Sequence, residues 1–384
     1  MYRIAVITSS RAEYGLLRPI LEKLNQVTFF KMQLIITGAH LSPEFGQTED
    51  EIYKDGFKVA DKLEVLLSSN TRSAMAKSTG LALMSFSDSY RNLTPDLIIC
   101  LGDRYEIFAA SYAAFIMRIP IAHLHGGELT YGALDDQFRH AITKVSSIHF
   151  PSTKIYKKRI IQMGESPKNV HNVGALGVER SFKVEKMTFE EIENALGIKL
   201  GEGFFLVTVH APTIGSETAS FLINEVLEAL EYFSTHTIIM SYANVDAGGY
   251  EINKYKNLFC NKMPNKRIIK KSLGHKLYIN LMRNCAAVIG NSSSGVIEAP
   301  ILGVPSVNVG NRQDGRFMDK TVMQVKTEKN KIIKAIQNSL SIKNRNTSRE
   351  FGVGNTSGLI INHLKKFLNK YNSNNVKKFY DIDF

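Results

Sequence analysis

Acidic side chains and histidines crowd one stretch of the chain, from His123 to His140. His125 and Glu128 stand on either side of a Gly-Gly pair, and Asp135 follows a few residues later. Carboxylates held close together push one another's pKa values apart, so that one takes up a proton while another gives one up. This stretch therefore predicts general acid–base chemistry, with Arg139 as a cationic group for an anionic substrate.

A metal site is the alternative reading of the same stretch, because histidine and aspartate are also metal ligands. The helical His-x-x-x-His pair and similar ligand spacings are absent from the sequence. We therefore expect acid–base chemistry without a metal.

A second chemical feature is Gly290–Pro300, where serines and glycines follow a short apolar segment. Hydroxyl and backbone N–H groups at a helix start suit a diphosphate. Those groups belong to Ser292, Ser293, Ser294 and Gly295. Glu298 lies about one turn further on, where it is placed to accept both ribose hydroxyls of a nucleotide. The structural alternative is a helix start that serine caps for stability alone.

Arginines accompany the serine-rich stretch. Arg312 and Arg316 follow the next apolar segment, and two guanidinium groups near a diphosphate are physically sensible. The Gly-Lys-Ser/Thr ending of a P-loop is missing, so that phosphate-binding motif is excluded.

Further polar residues directly follow apolar segments near the start of the chain. Arg11 offers a fixed positive charge and a bidentate donor at a turn that is otherwise an ordinary helix start. His40 either contacts substrate or caps a turn. There is no Gly-x-Gly-x-x-Gly here, which disfavours a nicotinamide cofactor.

Two more strand ends carry candidate catalytic groups. Asp103, followed by Arg104, either acts as a base in a ligand site or caps a helix N-terminus. His210 is placed to donate to a phosphate or to a departing oxygen, and the alternative is a strand-end histidine with no role.

The elements that must position these residues are short apolar runs alternating with helical patterns. Runs that are apolar on both faces are typical of parallel strands covered by helices, so the sequence predicts a doubly wound α/β fold. The predicted strands are Tyr2–Ser9, Lys31–Thr37, Asp96–Leu101, Pro120–Leu124 and Ser147–Pro151 in a first set, and Phe204–Val209, Thr237–Ser241, Arg267–Lys271, Ala286–Gly290 and Pro305–Val309 in a second.

The pattern restarts near Val178, which predicts two Rossmann-like domains, 1–177 and 178–356, facing a central cleft. Ligands of such sheets lie beyond the carboxyl ends of the strands, where the candidate residues stand. The segment 357–384 is predicted to be a helix and tail that pack back on the first domain.

Composition narrows the class of protein. The 384 residues have a hydrophobic fraction of 44% and three scattered cysteines, which favours a globular protein in a reducing, cytoplasmic setting. The net charge of +12 is spread thinly, which suits an anionic small substrate rather than nucleic acid or a membrane. We expect no secretory signal and no membrane span.

Several motifs together resemble the hydrolysing UDP-N-acetylglucosamine 2-epimerases. They occur in the same order over nearly the whole chain: Ser10–Gly15, Leu101–Glu106, His123–Glu128, Asp135–Lys144, Gly290–Glu298, Gly310–Arg316 and, as in the bacterial sialic-acid branch, Phe379–Asp381. The resemblance implies the two-domain GT-B fold of nucleotide-sugar glycosyltransferases and no metal or redox cofactor.

The resemblance also implies the reaction. A base removes the C2 proton of UDP-GlcNAc while UDP leaves C1, and water adds to the 2-acetamidoglycal to give free ManNAc for sialic acid synthesis. Asp103 and Asp135 match the acidic residues of the family, and His210 would assist at the departing phosphate. The family's UDP-binding positions fall on Arg11, Ser292, Ser293, Glu298 and Arg312.

The resemblance leaves some alternatives open. Some members have glutamate where His125 stands, so Glu128 or His125 itself would compensate. Related enzymes act on UDP-2,4-diacetamido-2,4,6-trideoxyglucose for legionaminic acid, and glycosyltransferases share the scaffold. We expect a homodimer or homotetramer, because such enzymes are commonly homo-oligomers.

Overall fold

The computed structural model describes residues 1–42, 48–67, 71–131, 134–201, 203–212, 217–243, 248–342, 347–371 and 376–382. The chain divides into two compact units. The first comprises Met1–Leu129, Leu134–Arg180 and Gly352–Phe384, and the second comprises Thr130–Ala133 and Ser181–Phe351.

The first unit is built on a parallel six-stranded sheet with the order β3-β2-β1-β4-β5-β6. Its strands are β1 (Tyr2–Thr8), β2 (Phe30–Thr37), β3 (Val59–Leu63), β4 (Leu97–Leu101), β5 (Ile121–Leu124) and β6 (Ile148–Phe150). Its helices up to the second unit are α1 (Arg11–Gln26), α2 (Glu49–Lys54), α3 (Arg72–Leu93), α4 (Tyr105–Ile116), α5 (Leu134–Val145), α6 (Lys154–Gln162) and α7 (Leu176–Lys183).

The second unit repeats the plan, with a parallel six-stranded sheet in the order β12-β11-β10-β7-β8-β9. Its strands are β7 (Phe204–Thr208), β8 (Thr237–Ser241), β9 (Arg267–Lys270), β10 (Ala287–Gly290), β11 (Ser306–Val309) and β12 (Val322–Val325). Its helices are α8 (Phe189–Leu196), α9 (Ala219–Glu231), α10 (Gly249–Asn261), α11 (Gly274–Asn284), α12 (Ser293–Val296), α13 (Glu298–Ile301) and α14 (Lys329–Leu340), and α15 (Thr356–Leu368) returns to the first unit.

Both faces of each sheet are covered, as the two-sided apolar runs predict. In β1, Ile4 and Val6 belong to one buried cluster, whereas Ala5 and Ile7 belong to another. Alternate residues of a strand point to opposite faces, so β1 is buried on both sides. The predicted doubly wound α/β class is confirmed by the two parallel sheets.

The strands β3 and β12 are absent from the predicted set, and both lie at a sheet edge. In β3, the exposed Ala60 and Lys62 alternate with the partly buried Val59 and Asp61, and β12 has an exposed Gln324. An edge strand pairs on one side only and need not be apolar on both faces. Neither segment therefore contains the continuous apolar run that marks the central strands.

The chain passes from the first unit to the second after Arg180, within helix α7. The chain re-enters the first unit at Gly352. There α15 packs against α1, with Ile360 and Leu364 in the same buried cluster as Leu17.

The start of α15 is fixed by a buried carboxylate. Glu179 accepts hydrogen bonds from the Ser357 backbone N–H at 2.6 Å and from the Ser357 hydroxyl at 2.7 Å. These bonds satisfy donors at the helix N-terminus, where the negative charge of the carboxylate also interacts favourably with the helix dipole. Among the described residues, no helix is both long and apolar enough to cross a lipid bilayer.

The segment 376–382 crosses the end of α5, the helix that carries the predicted acidic cluster. The Lys377 ammonium donates to Lys144 O at 2.6 Å, to Ser146 O at 2.8 Å and to the buried Glu165 carboxylate at 2.8 Å. The Phe379 ring lies directly on Gly164, where a Cβ atom would stand 2.2 Å from it. All three ammonium donors are thus used on the first unit.

Replacing Lys377 with methionine should lower the free energy of unfolding by about 1 kcal/mol, a modest amount because the lysine side chain is 40% exposed. Glu165 keeps Lys144 and His149 as partners. The denaturant midpoint of the variant measures the loss, and Lys378→Met is the matched control. Equal midpoints for the two variants would contradict the bonding described for Lys377.

Candidate functional site

Asp103, Arg139 and Asp136 form an ion-pair cluster in the first unit. Asp103 follows β4, and its carboxylate accepts a hydrogen bond from Arg139 on α5. Arg139 is buried and also donates to Asp136 at 3.4 Å and to Glu128 O at 3.0 Å. Because the guanidinium joins the ends of β4 and β5 to α5, it fixes the Asp103 carboxylate, which is 25% exposed.

His125 and Glu128 form a second pair at the end of β5. His125 Nδ1 lies 2.9 Å from a Glu128 carboxylate oxygen, which also accepts from the Ser152 hydroxyl at 3.0 Å. The Leu176 N–H donates to His125 Nε2 at 3.4 Å, so Nδ1 carries the proton of the neutral ring. The His125 backbone has a φ of 60°, a left-handed conformation that is costly for a residue with a Cβ. Such strain is typical of functional turns.

Arg104 lies among carboxylates. It donates to Glu106 at 3.2 and 3.1 Å, and Glu106 is fully buried. Asp135, near the start of α5, is close enough to Arg104 and Glu106 to interact with them electrostatically. Partial burial raises the pKa of Asp135, while the Arg104 charge acts in the opposite direction. A carboxyl group of raised pKa is suited to proton transfer near neutral pH.

Glu13 joins this group, although the sequence interpretation gave it no role. Its carboxylate accepts from the Ser9 backbone N–H at 2.7 Å and the Ser9 hydroxyl at 2.9 Å. Burial raises the pKa of Glu13 to about 7, against the opposing effect of the Ser9 hydrogen bonds and the Arg104 charge.

The raised pKa predicts a pH-dependent stability. The folded protein binds a proton on Glu13 more tightly than the unfolded chain, so this stability is full below pH 4.5 and is lost as pH rises through about 7. In the wild-type protein, the ionisation of Glu13 should lower the free energy of unfolding by up to about 3 kcal/mol between pH 4.5 and 7. In Glu13→Gln this part of the pH dependence should be absent. Denaturant titrations at pH 4.5, 6 and 8 measure the free energy of unfolding of both proteins. If it changed with pH by the same amount in the wild-type protein and in Glu13→Gln, the pKa of Glu13 would not be raised.

Other candidates of the first unit lie outside these clusters. His40 is fully buried, with its ring nitrogens 3.0 Å from the Thr8 hydroxyl and 2.8 Å from the Thr48 hydroxyl. Burial lowers the pKa of His40 to about 4, so the ring is neutral and both nitrogens are engaged. Arg11 begins α1, is 69% exposed and pairs with Glu51 at 2.9 Å. Ligand contacts of His40 and Arg11 stay predictions.

The serine-rich stretch of the second unit forms a tight turn from β10 into α12. Gly290 has a φ of 139°, and a Cβ atom there would lie 2.0 Å from Thr208 O, so only glycine fits. Ser292 caps α12, and its hydroxyl lies 3.0 Å from that of Ser294. The Tyr278 hydroxyl lies 2.6 Å from the Ser294 hydroxyl.

The remaining predicted residues of this turn lie close by. Ser293 begins α12, Gly295 packs against Ser306 of β11, and Glu298 begins α13 within electrostatic range of Tyr278. The turn therefore presents several hydroxyl groups and one carboxylate.

Asn291 joins this turn to His210. The Asn291 side chain accepts from the His210 backbone N–H at 2.8 Å and donates to His210 O at 2.8 Å. The Asn291 carbonyl accepts from Arg312 at 3.2 Å and from Gln313 at 2.9 Å. Through its side-chain amide and its backbone carbonyl, the buried Asn291 therefore brings together three features that the sequence predicted separately: His210, the serine-rich turn and Arg312.

His210 is neutral in this setting. Burial lowers its pKa to about 3, and the charges of Arg312 and Lys256 add to the effect. A neutral imidazole donates from one ring nitrogen, and a bound anion would stabilise its protonated form. The surroundings are thus cationic and suited to a phosphate.

The chain matches known proteins over most of its length. The family model described as UDP-N-acetylglucosamine 2-epimerase matches residues 22–365. The chain is 39% identical to the GDP/UDP-N,N'-diacetylbacillosamine 2-epimerase (hydrolyzing) of Campylobacter jejuni, over 84% of this chain and 83% of that protein. It is 35% identical to polysialic acid biosynthesis protein P7 of Escherichia coli, over 100% and 98%.

A solved structure shares the fold. The UDP-GlcNAc 2-epimerase of Neisseria meningitidis, solved bound to UDP-GlcNAc, has a TM-score of 0.73 and 19% identity, over 95% of this chain and 100% of that one. The resemblance predicted from motifs agrees with the family model and with the relatives above 30% identity. The chain belongs to the UDP-N-acetylglucosamine 2-epimerase family.

Proposed function

We propose that this protein is a hydrolysing 2-epimerase that converts UDP-GlcNAc and water to ManNAc and UDP. The single observation that carries the proposal is the first unit's acid–base group, in which a partly exposed Asp103 is held by a buried Arg139. A base beside C2 is needed for epimerisation and is not needed for simple glycosyl transfer. Membership of the family and the relatives' names agree with this chemistry.

The proposed first step breaks two bonds. Asp103 takes the C2 proton while the C1–O bond to UDP breaks, which leaves a 2-acetamidoglycal. In the second step water supplies a hydroxyl to C1, and C2 receives a proton from the opposite face. Asp135, whose pKa is raised by burial, is our candidate for the group that gives this proton.

The His125–Glu128 pair has a supporting role in the proposal. Glu128 holds the His125 ring through Nδ1, and in the proposal Nε2 exchanges its 3.4 Å bond from the Leu176 N–H for the attacking water. A histidine oriented by a carboxylate is a competent general base for the attacking water. This pair would replace the glutamate that some family members have at the position of His125.

The second unit is proposed to bind UDP. The hydroxyl groups of Ser292, Ser293 and Ser294 and the N–H of Gly295 would bind the diphosphate with Arg312, and Glu298 would accept the ribose hydroxyls. His210, neutral before binding, would donate a hydrogen bond to the departing phosphate oxygen and stabilise its charge. Arg11 and Arg104 are proposed as further cationic groups for the substrate.

The Campylobacter relative favours a second candidate substrate. Its name specifies N,N'-diacetylbacillosamine, which is 2,4-diacetamido-2,4,6-trideoxyglucose. The same C1 and C2 chemistry applies to both UDP-sugars, which differ at C4 and C6. The product would then enter legionaminic rather than sialic acid synthesis.

Product identification with the two UDP-sugars tests the proposal. Purified protein is incubated with each, and UDP and the free 2-acetamido sugar are quantified separately. We expect equal amounts of UDP and the C2-inverted free sugar from the true substrate. A free sugar of unchanged C2 configuration would identify a simple hydrolase, and turnover that needs an acceptor would identify a glycosyltransferase.

A further inference from the structure

Lys256 is a buried lysine on the apolar face of α10. It is 0% exposed, although lysine is rarely buried completely without a partner. Its Nζ atom donates to Val209 O and to Ser241 O, both at 2.9 Å. These carbonyls stand at the carboxyl ends of the neighbouring strands β7 and β8. The lysine therefore links the ends of these two strands through one hydrogen bond to each.

The peptide between Val209 and His210 is held by side chains at both of its polar groups. Lys256 binds its carbonyl oxygen, and Asn291 binds its N–H at 2.8 Å. Asn291 also donates to the next carbonyl, that of His210, at 2.8 Å. The peptide groups before and after the Cα atom of His210 are thus both held by side chains, which fixes the backbone that carries the imidazole.

The charge state of Lys256 agrees with this arrangement. Burial lowers the pKa of Lys256 to about 7, so the neutral amine is well populated near physiological pH. A neutral amine has two N–H groups, which match the two carbonyl acceptors. The residual positive charge also helps to hold the His210 ring neutral.

We propose that Lys256 is a positioning residue for His210: by binding Val209 O and Ser241 O, it fixes the strand end that presents the imidazole to the departing phosphate. This rests on the proposed function of His210. Lys256 itself is buried and does not touch the substrate.

A double-mutant cycle tests the proposal. Lys256→Met keeps the length and burial of the side chain and removes both donors. Since small misplacements of a catalytic group cost about 10²-fold in rate, we expect Lys256→Met to lower kcat by ~30- to ~100-fold. In a His210→Ala background the same change should lower kcat by less than about 3-fold, because no imidazole remains to be positioned.

Controls separate positioning from loss of structure. Calorimetric titration with UDP gives the fraction of competent protein, and kcat is expressed per competent site. Lys254→Met, an exposed lysine on the same helix, should leave kcat unchanged. Lys256→Gln, which keeps two amide N–H donors, should recover part of the loss and replaces the methionine variant if that variant does not fold.

The outcomes are distinguishable. Equal fold-losses in the two backgrounds would show that Lys256 acts independently of His210 and would overturn the proposal. An unchanged kcat for Lys256→Met, or for His210→Ala, would overturn it as well. Failure of the wild-type protein to release UDP from either sugar would instead contradict the proposed function, and the positioning role with it.

Discussion

Replacing Asp103 with asparagine is expected to lower kcat by about 10²- to 10⁴-fold, the usual contribution of a general acid or base. Asparagine has nearly the same shape and still accepts a hydrogen bond from Arg139, but its amide cannot take the C2 proton. UDP binding should persist, because the proposed diphosphate site belongs to the second unit. Steady-state kinetics and calorimetric titration with UDP measure the two effects.

The matched control is Asp88→Asn on α3, an exposed carboxylate that pairs with Arg91 within the same helix. It should leave kcat unchanged. If Asp103→Asn kept wild-type kcat with competent UDP binding, Asp103 would not be the base, and the proton transfers would have to be assigned to other residues.

Replacing Arg139 with methionine should have the largest effect on stability, about 3–5 kcal/mol, the usual cost of removing one partner of a buried ion pair. The change leaves the Asp103 and Asp136 carboxylates without their shared guanidinium, and Glu128 O loses a donor. Urea unfolding followed by circular dichroism measures the loss.

Arg139→Lys is the informative companion, because an ammonium keeps the charge but lacks the planar fork that reaches several acceptors. It should recover part of the stability and little of the activity. Arg91→Met, which breaks an exposed pair, should cost no more than about 0.5 kcal/mol. A loss for Arg139→Met as small as that of Arg91→Met would contradict the assigned network.

The central strands were predictable because burial on both faces leaves a direct mark on sequence. Ile4, Val6 and Ile7 are all buried, and the apolar run around them predicts β1. The sequences of β3 and β12 leave no such mark, which is why these two edge strands were missed. The segment 357–384 was predicted to pack on the first domain, but the contact of Glu179 with Ser357 that fixes the start of α15 is long-range, and no local pattern encodes it.

The positions of the candidate site residues were predictable, but their pairings were not. Asp103 and Arg139 follow different elements, and only the folded chain brings them together. Asn291 lies inside the serine-rich motif, but the sequence analysis assigned ligand contacts only to the residues that follow it. The bonds of Asn291 to His210 were therefore missed. Lys256 did have a signal: it occupies the buried stripe of α10 with Ile252 and Phe259, a position that apolar residues usually fill.

Isotope incorporation at C2 shows whether a base of the protein removes the C2 proton. The protein is incubated with each UDP-sugar in deuterated water, and the released sugar is examined by proton NMR and mass spectrometry. We expect one deuterium at C2 of every product molecule, together with inverted configuration and stoichiometric UDP. Release of UDP with the original C2 proton retained would contradict it, because the proposed base would then have removed nothing.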